Sequence, residues 1–137
     1  MADVAVSIRN YLLAQSAITD IVGQRIYADA LPQNATLPAI EMSVISDVPE
    51  MQLSDITGIT KARIQLNTVA TRRSVARSVS AAIRTCGVAA IKGTYTSVSI
   101  RGVAIAETFD TPIYATDGTD DHRYASAVDL LVDYSET

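Results

Sequence analysis

Few side chains in the sequence are suited to catalysis, and the only histidine is His122. It lies between an acidic stretch and the last segment with strand-like alternation. Nucleophilic catalysis needs a base beside the nucleophile, and no serine stands in a G-x-S-x-G sequence. The pattern therefore predicts a histidine in a surface loop and no catalytic residue.

Cys86 and the aspartates Asp117, Asp120 and Asp121 are the remaining candidates for a reactive thiol or a metal site. Cys86 falls on the apolar stripe of a predicted helix, where cysteine behaves as a small apolar residue. The aspartates lack the ligand order and the distant glutamate of a calcium loop, which favours a solvated acidic loop. The glycines form neither a dinucleotide-binding nor a phosphate-binding motif. We expect no metal ligand, no cofactor and no enzymatic activity.

The charges are divided unevenly along the chain. Residues 56–106 contain eight basic residues and no acidic one, whereas the remainder carries fifteen acidic and three basic residues. Such a division indicates either separate electropositive and electronegative surfaces or neutralisation of one by the other within the fold. The eight basic residues are Lys61, Arg63, Arg72, Arg73, Arg77, Arg84, Lys92 and Arg101.

Three of these residues, Arg73, Arg77 and Arg84, cluster on one side of a predicted helix, opposite its apolar stripe. Three interpretations are open: a solvated face, a protein–protein surface or a contact with a nucleic-acid backbone. No aromatic residue lies between Ile56 and Thr94, so this segment has no platform on which bases could stack. This absence makes nucleic acid the weakest of the three.

The segment that positions these arginines is a strand followed directly by a helix, between Gly58 and Gly87. Residues 59–69 alternate, with Ala62, Ile64, Leu66 and Thr68 on one side, as in a half-buried strand. Helical spacing then predicts a helix, with Thr71 as its N-cap and Gly87 just beyond its C-terminus. The apolar stripe of this helix consists of Val75, Val79, Ala82, Ile83 and Cys86.

The other elements are predicted from the same two periods. Helices are expected at about residues 2–15 and, more briefly, at Ser16–Val22, with Ser16 as a possible N-cap and Gly23 as the stop. Strands are expected at 25–27, from Leu37-Pro38 through Ile40, Met42 and Val44, at 95–109 with a bulge at Gly102, and at 124–134.

This order predicts an α+β fold, with a mainly antiparallel (mixed) β-sheet and two main helices packed on it. A length of 137 residues predicts one domain, 1–137. Residues 47–57 and 110–122 are predicted as two long loops, and loops of that length are often functional. Met51 and Leu53 are apolar in the first of them, which is expected to be the exposed tip of a hairpin.

The sequence lacks the features of a secreted or membrane-inserted protein. No apolar run approaches the length of a membrane span, and the first residues lack the basic and apolar regions of a signal peptide. A single cysteine is compatible with a reducing compartment. We expect the chain to reside in a cytoplasm-like environment.

The sequence resembles the tail completion, or tail terminator, proteins of long-tailed bacteriophages over roughly Val4 to Tyr134. The closing part, with Glu107, Tyr114, Asp117 and the strand from His122 to Tyr134, is similar to the closing hairpin of that family. Short motifs before the central helix carry the rest of the resemblance: Arg25-Ile26-Tyr27, Leu31-Pro32, Leu37-Pro38-Ala39-Ile40 and Ala62-Arg63-Ile64-Gln65-Leu66.

The resemblance implies a sheet flanked by helices and a hexameric ring that caps the head-proximal end of the tail tube. It further implies a virion protein of the neck region, assembled in the host cytoplasm. Its partners would be other copies of itself, the tail tube protein and a head–tail connector, with DNA only passing through the lumen. The alternatives are another connector or head-closure ring protein and, from a different class, a cytosolic α+β dimer that binds a small ligand.

A ring of identical subunits joins two different patches of its subunits. We therefore expect basic residues of one copy to meet Asp117, Asp120 and Asp121 of the next. Met51 and Leu53 are expected to dock onto the tail tube or a neighbour. The basic candidates are Arg73, Arg77, Arg84, Lys61 and Arg63.

Overall fold

The computed structural model describes residues 4–28, 31–32, 36–51, 56–86, 91, 93–95, 98–113 and 123–136. Within them the fold is α+β, as predicted, with a mixed sheet, two main helices and the short helix expected at Ser16–Val22. The elements, in chain order, are α1 (Val4–Leu13), α2 (Ser16–Val22), β1 (Ile26–Ala28), β2 (Ala39–Met51), β3 (Ile56–Ala70), α3 (Arg73–Thr85), β4 (Gly93–Tyr95), β5 (Val98–Ile113) and β6 (Arg123–Glu136).

The described strands form one sheet in the order β1-β2-β3-β6-β5-β4. β1 runs parallel to β2, and every other neighbouring pair is antiparallel. The four long strands in the middle therefore alternate in direction. The short strands β1 and β4 lie at the two ends and each cover only three residues of the strand beside them.

The core lies on one face of this sheet, which we call the helical face. Ala62, Ile64 and Leu66 of β3 are buried there, as their alternation predicts, and they pair with Val132, Leu130 and Val128 of β6. All three helices contribute side chains to this same cluster of buried residues. We call the opposite side the uncovered face, because no described helix packs on it.

The helices pack through side chains at helical spacing. In α1, Val4, Ile8 and Leu12 recur every four residues and are buried. In α3 the buried residues are Ala76, Val79, Ser80 and Ile83, whereas Val75, Ala82 and Cys86 are only half-buried. The buried stripe of α3 is thus centred beside the predicted one and includes a serine.

Both predicted N-caps are wrong by one residue. The cap positions are Gln15 for α2 and Arg72 for α3, and neither makes a side-chain hydrogen bond to its helix. Gly23 ends α2 as predicted, with a φ of 60° and its N–H donating to Thr19 O at 2.8 Å. Glycine suits this position because it adopts positive φ without a steric cost.

Both predicted long loops are partly strand. β2 continues to Met51 and β3 begins at Ile56, so the first predicted loop, 47–57, belongs mostly to a ladder that pairs Asp47 with Ala62. β5 likewise continues to Ile113, so the first residues of the second predicted loop, 110–122, belong to this strand. Backbone hydrogen bonds hold these ladders whatever the polarity of the side chains.

The bulge predicted at Gly102 is confirmed. The register of β5 against β6 shifts between Ile100 and Gly102, which pair with the consecutive residues Tyr134 and Asp133. A second shift follows between Ile105 and Glu107. The strand predicted over 95–109 is displaced, because β4 ends at Tyr95 and β5 begins at Val98.

Candidate functional site

The side of α3 that faces solvent carries Arg73, Arg77 and Arg84, all exposed, which we call the arginine surface. The opposite side of the helix is fixed to the sheet by a buried hydrogen bond of 2.7 Å from Ser80 Oγ to Ser126 Oγ. A helix held in this way presents the three guanidinium groups in a defined arrangement. The structure thus confirms that the three lie on the exposed side of one helix.

Asp110 of β5 partly neutralises the arginine surface. Its Oδ2 accepts a hydrogen bond from Arg77 Nη1 at 3.2 Å and lies 3.7 Å from Arg73 Nη2. Its Oδ1 accepts a hydrogen bond of 2.7 Å from Ser126 Oγ. One carboxylate therefore serves two arginines, which leaves the arginine surface with a surplus of two positive charges. Both sequence-based alternatives apply: part of the charge is neutralised internally and part remains on a surface.

A cleft of about 310 Å³ separates α3 from the ends of β5 and β6. Arg84 lines it and makes no ion pair with the residues that the structure describes. A guanidinium group can bind a carboxylate through two parallel hydrogen bonds. The cleft is therefore suited to an acidic side chain from another molecule. Its lining consists of Arg77, Ser78, Ser80, Ala81, Arg84, Thr108, Asp110 and Ser126.

Lys61 and Arg63, the other two basic candidates, lie on the uncovered face of the sheet and not beside the arginine surface. Lys61 Nζ lies 3.8 Å from Asp133 Oδ1, with both side chains about half exposed. Arg63 contacts Asp129 and lies 3.7 Å from Glu107. The structure therefore divides the predicted basic set between two opposite surfaces.

Asp129 is a buried carboxylate, with 7% of its side chain exposed. Its Oδ2 accepts hydrogen bonds from Arg63 Nη2 at 2.6 Å and Arg63 Nε at 3.1 Å. Its Oδ1 has no hydrogen-bond partner among the described residues. Burial of an unpaired charge is costly, so the pairing of Arg63 with Asp129 primarily stabilises the fold of its own chain.

Several predicted site residues lie outside the part that the structure describes: Leu53, Asp117, Asp120 and Asp121. His122, predicted as a surface-loop histidine, also lies outside it. Met51 is the last residue of β2, and its side chain is not described. The contact between the arginine surface and a neighbour's acidic residues, and docking by Met51 and Leu53, therefore stay predictions. Cys86, expected on the buried stripe, is half-buried, and its thiol donates to Ile83 O at 3.1 Å.

Exposed apolar side chains occur at positions for which the sequence predicted no docking role. Val44, Ile45 and Val48 of β2 are 39%, 53% and 58% exposed, and Leu131 on the uncovered face is 45% exposed. The sequence predicted apolar docking only for Met51 and Leu53. The adjacent pair Val44-Ile45 was an available signal, since two consecutive apolar residues in a strand cannot both face the same core.

The described residues contain neither a group suited to a metal ion nor a helix suited to span a membrane. No group of three or more histidine, cysteine, aspartate or glutamate residues there is arranged to hold a metal ion. None of the described helices has the length and apolar character required to cross a bilayer.

Comparisons with known proteins concern the family and the fold of the chain. The family model described as "Tail completion protein gp17" matches residues 6–91. Among solved structures, the fold is similar to a chain described as "Virion of native gene transfer agent (GTA) particle", with a TM-score of 0.62 and 14% identity. That alignment covers 96% of this chain and 94% of the other. Among curated proteins, no sequence matches.

Proposed function

This chain belongs to the tail completion protein gp17 family, and we propose that it forms the ring that caps the head-proximal end of a phage tail tube. The ring ends polymerisation of the tube and provides the surface to which the head is joined. The chain is thus a structural component of the virion. The match to the tail completion family is the observation that carries this proposal.

The described structure supports a role in assembly. The arginine surface is held in a defined position, because the Ser80–Ser126 hydrogen bond and the contacts of Asp110 with Arg77 and Ser126 fix α3 to the sheet. Residues 1–137 form one tail-terminator-like domain in this proposal. One sheet that contains strands from Ile26 to Glu136 supports a single domain.

The ring, with six copies, uses a head-to-tail interface in which one patch of a subunit meets a different patch of the next. The arginine surface is one such patch, because two of its charges remain after Asp110 is counted. Its counterpart is the acidic stretch with Asp117, Asp120 and Asp121. Each exposed ion pair contributes only about 0–1 kcal/mol, so these charges fix the register while apolar contacts provide most of the affinity.

The partners of the ring are the tail tube protein on one side and a head–tail connector in the neck on the other, with DNA passing through the lumen. Met51 and Leu53, in the segment that the sequence predicts as the tip of the hairpin, dock onto the tube or onto a neighbouring subunit. Particles with Met51→Asp and Leu53→Asp should fail to join heads to tails of normal length. Normal joined particles would show that the tip is dispensable.

Removal of the gene tests the proposed function. Particles made without this protein should have tails of irregular, excessive length that lack heads, and supply of the wild-type protein in trans should restore joined particles. Tails of normal length with heads that leak DNA would favour a head-closure ring. Purified protein that stays a dimer beside tail tubes under the electron microscope would instead favour the cytosolic ligand-binding class.

A further inference from the structure

The outer edges of the long strands β2 and β5 are only partly covered by the short end strands β1 and β4. β1 pairs with β2 only at Ile40–Met42, so residues 43–51 have no neighbouring strand on their outer side within the described residues. β4 pairs with β5 only at Val98–Ile100, so residues 101–113 are likewise open on theirs. An open edge presents unpaired N–H and C=O groups that can pair with another strand.

Both open edges carry apolar surface. On β2 three neighbouring side chains, Val44, Ile45 and Val48, are more than one-third exposed. Beside the open edge of β5, a groove of about 350 Å³ is lined by Gly102, Val103, Ala104 and Leu131 and by the ion pair of Lys61 and Asp133. Monomeric proteins usually protect such edges, and a long apolar edge without protection tends to pair with another chain.

The two edges lie at the same level of the sheet. The ladder registers place Ser46, Arg63, Leu131 and Ala104 in one row across the uncovered face. The next row on this face contains Val48, Lys61, Asp133 and Gly102. The apolar part of the β2 edge is therefore level with the groove beside β5.

The strand directions also fit. β2, β3, β6 and β5 alternate, so β2 and β5 run in opposite directions. Rotation of a copy about an axis roughly along the strands preserves these directions. Such a rotation sets β5 of one copy beside β2 of the next in antiparallel orientation, which is the geometry of the other long ladders.

We propose that residues 43–48 on the open edge of β2 pair, antiparallel, with residues 101–107 on the open edge of β5 in a second copy of this chain. Repeated around the ring, this contact joins the sheets into one closed β-barrel with the helices outside. The inference rests on the proposed ring, and it identifies a backbone ladder, in addition to the charged patches, as the subunit contact.

The proposal fixes an approximate size. Six copies of four long strands make about 24 strands, which at roughly 4.8 Å spacing and about 40° tilt close a barrel about 50 Å across between backbones. Closure also requires a stagger between neighbouring copies. Pairs displaced by one row must therefore be included in any test.

Engineered disulfides test this ladder in assembled rings. Ser46 and Ala104 are exposed, and two strands separate them within one copy, so they lie roughly 14 Å apart. A disulfide requires Cα atoms closer than about 7 Å, so any bond between them must join two copies. The test variants carry Cys86→Ala, Ala104→Cys and one partner on β2: Ser43→Cys, Ser46→Cys or Val48→Cys.

Oxidised rings of at least one test variant should give a series of covalent multimers up to the full ring on a non-reducing gel. Each single-cysteine variant should give none. Lys61→Cys with Ala104→Cys is the matched control, because Lys61 is exposed on the same face but lies in the middle of the sheet. Rings of normal size without multimers in any test variant would overturn the ladder and leave the proposed ring intact.

Hydrogen exchange of the wild-type protein provides a test that needs no substitution. Amides in both segments, 43–48 and 101–107, should exchange at least tenfold more slowly in the ring than in the dissociated chain. Protection confined to α3 would contradict the ladder and leave the arginine surface as the contact. A wild-type protein that forms no ring, alone or on tail tubes, would overturn the proposed function and the ladder together.

Discussion

Asp129 is the single charged residue among those buried in the described structure, and Arg63 provides both of its hydrogen bonds. We expect Arg63→Ala to lower the free energy of unfolding by about 2 kcal/mol, because it leaves a buried carboxylate without a partner. Lys61→Ala is the control, since the exposed Lys61–Asp133 pair should contribute less than about 0.5 kcal/mol. Urea unfolding of both variants measures the difference.

A double variant distinguishes the stabilisation by the Arg63–Asp129 ion pair from the cost of burying an unpaired Asp129. With Arg63→Ala and Asp129→Ala combined, part of the loss should be regained, since no unpaired charge is then buried. Equal costs for Arg63→Ala and Lys61→Ala would show that Asp129 reaches water in solution.

Arg84 is the most informative arginine for testing the proposed ring, because it lines the cleft beside α3 without an ion pair to the described residues. Arg73 and Arg77 bind Asp110, so their substitution also changes the monomer. Arg84→Glu should weaken rings, as measured by the mass of the assembled protein at low salt, and the deficit should shrink as salt screens the charge.

Arg123→Glu is the matched control for Arg84→Glu. Arg123 is exposed, and its register opposite Ile113 places it on the uncovered face, away from the arginine surface. The two variants change the net charge equally. If both affect ring mass to the same degree, the effect is one of total charge and Arg84 makes no specific contact.

At the scale of elements, α3 is held to the sheet by polar as well as apolar contacts. Ser126→Ala removes the acceptor of Ser80 and one donor to Asp110, at an expected cost of about 1–2 kcal/mol in the free energy of unfolding. Ser78→Ala is the control on the same helix, because the exposed Ser78 hydroxyl bonds only to Ser74 O and should contribute less than about 0.5 kcal/mol. Thermal unfolding of both variants would contradict this account if they melt together.

The periodic elements were predictable because their faces meet different surroundings. β3 is buried at Ala62, Ile64 and Leu66 and polar between them, so its period of two is visible in the sequence. The buried stripe of α3 was predicted less well, because Ser80 belongs to it and was not expected there. Ser80 is buried because Ser126 satisfies its hydroxyl, and only tertiary structure brings the two together.

The continuation of β2 and β5 into the predicted loops could not be predicted from the side chains. Asp47, Pro49 and Asp110 are typical of turns, yet all three lie in ladders whose register is fixed by neighbouring strands. The partnership of Asp110 with Arg77 spans 33 residues and depends on two register shifts in β5. Sequence reasoning therefore found the arginine surface but not the carboxylate that neutralises part of it.

At the scale of the whole molecule, the charges of the two sheet faces are used differently. The arginine surface on the helical face keeps a surplus of two positive charges. On the uncovered face the described ladders place three basic residues and four acidic ones, and Lys61 and Arg63 are held by acidic neighbours. These seven are Lys61, Arg63, Arg123, Glu41, Glu107, Asp129 and Asp133.

A closed barrel with its helices outside would turn the uncovered face towards the lumen. Helices form a thick layer, and the outer circumference of a ring offers more room for it than the inner one. DNA phosphates would then meet a face on which acidic residues outnumber basic ones and on which Lys61 and Arg63 are already bound to acidic neighbours, so the attraction is small. The surplus positive charge would lie outside, where subunits meet.

Gln65→Lys tests this orientation, because Gln65 is a neutral, half-buried residue in the middle of the uncovered face. With the uncovered face towards the lumen of the proposed ring, the substitution would add one positive charge per subunit there, so DNA release from assembled particles should become slower at low salt and recover as salt rises. Thr85→Lys, exposed at the end of α3, adds the same charge to the outside and should leave release unchanged. Slower release with Thr85→Lys and normal release with Gln65→Lys would place the helices towards the lumen instead.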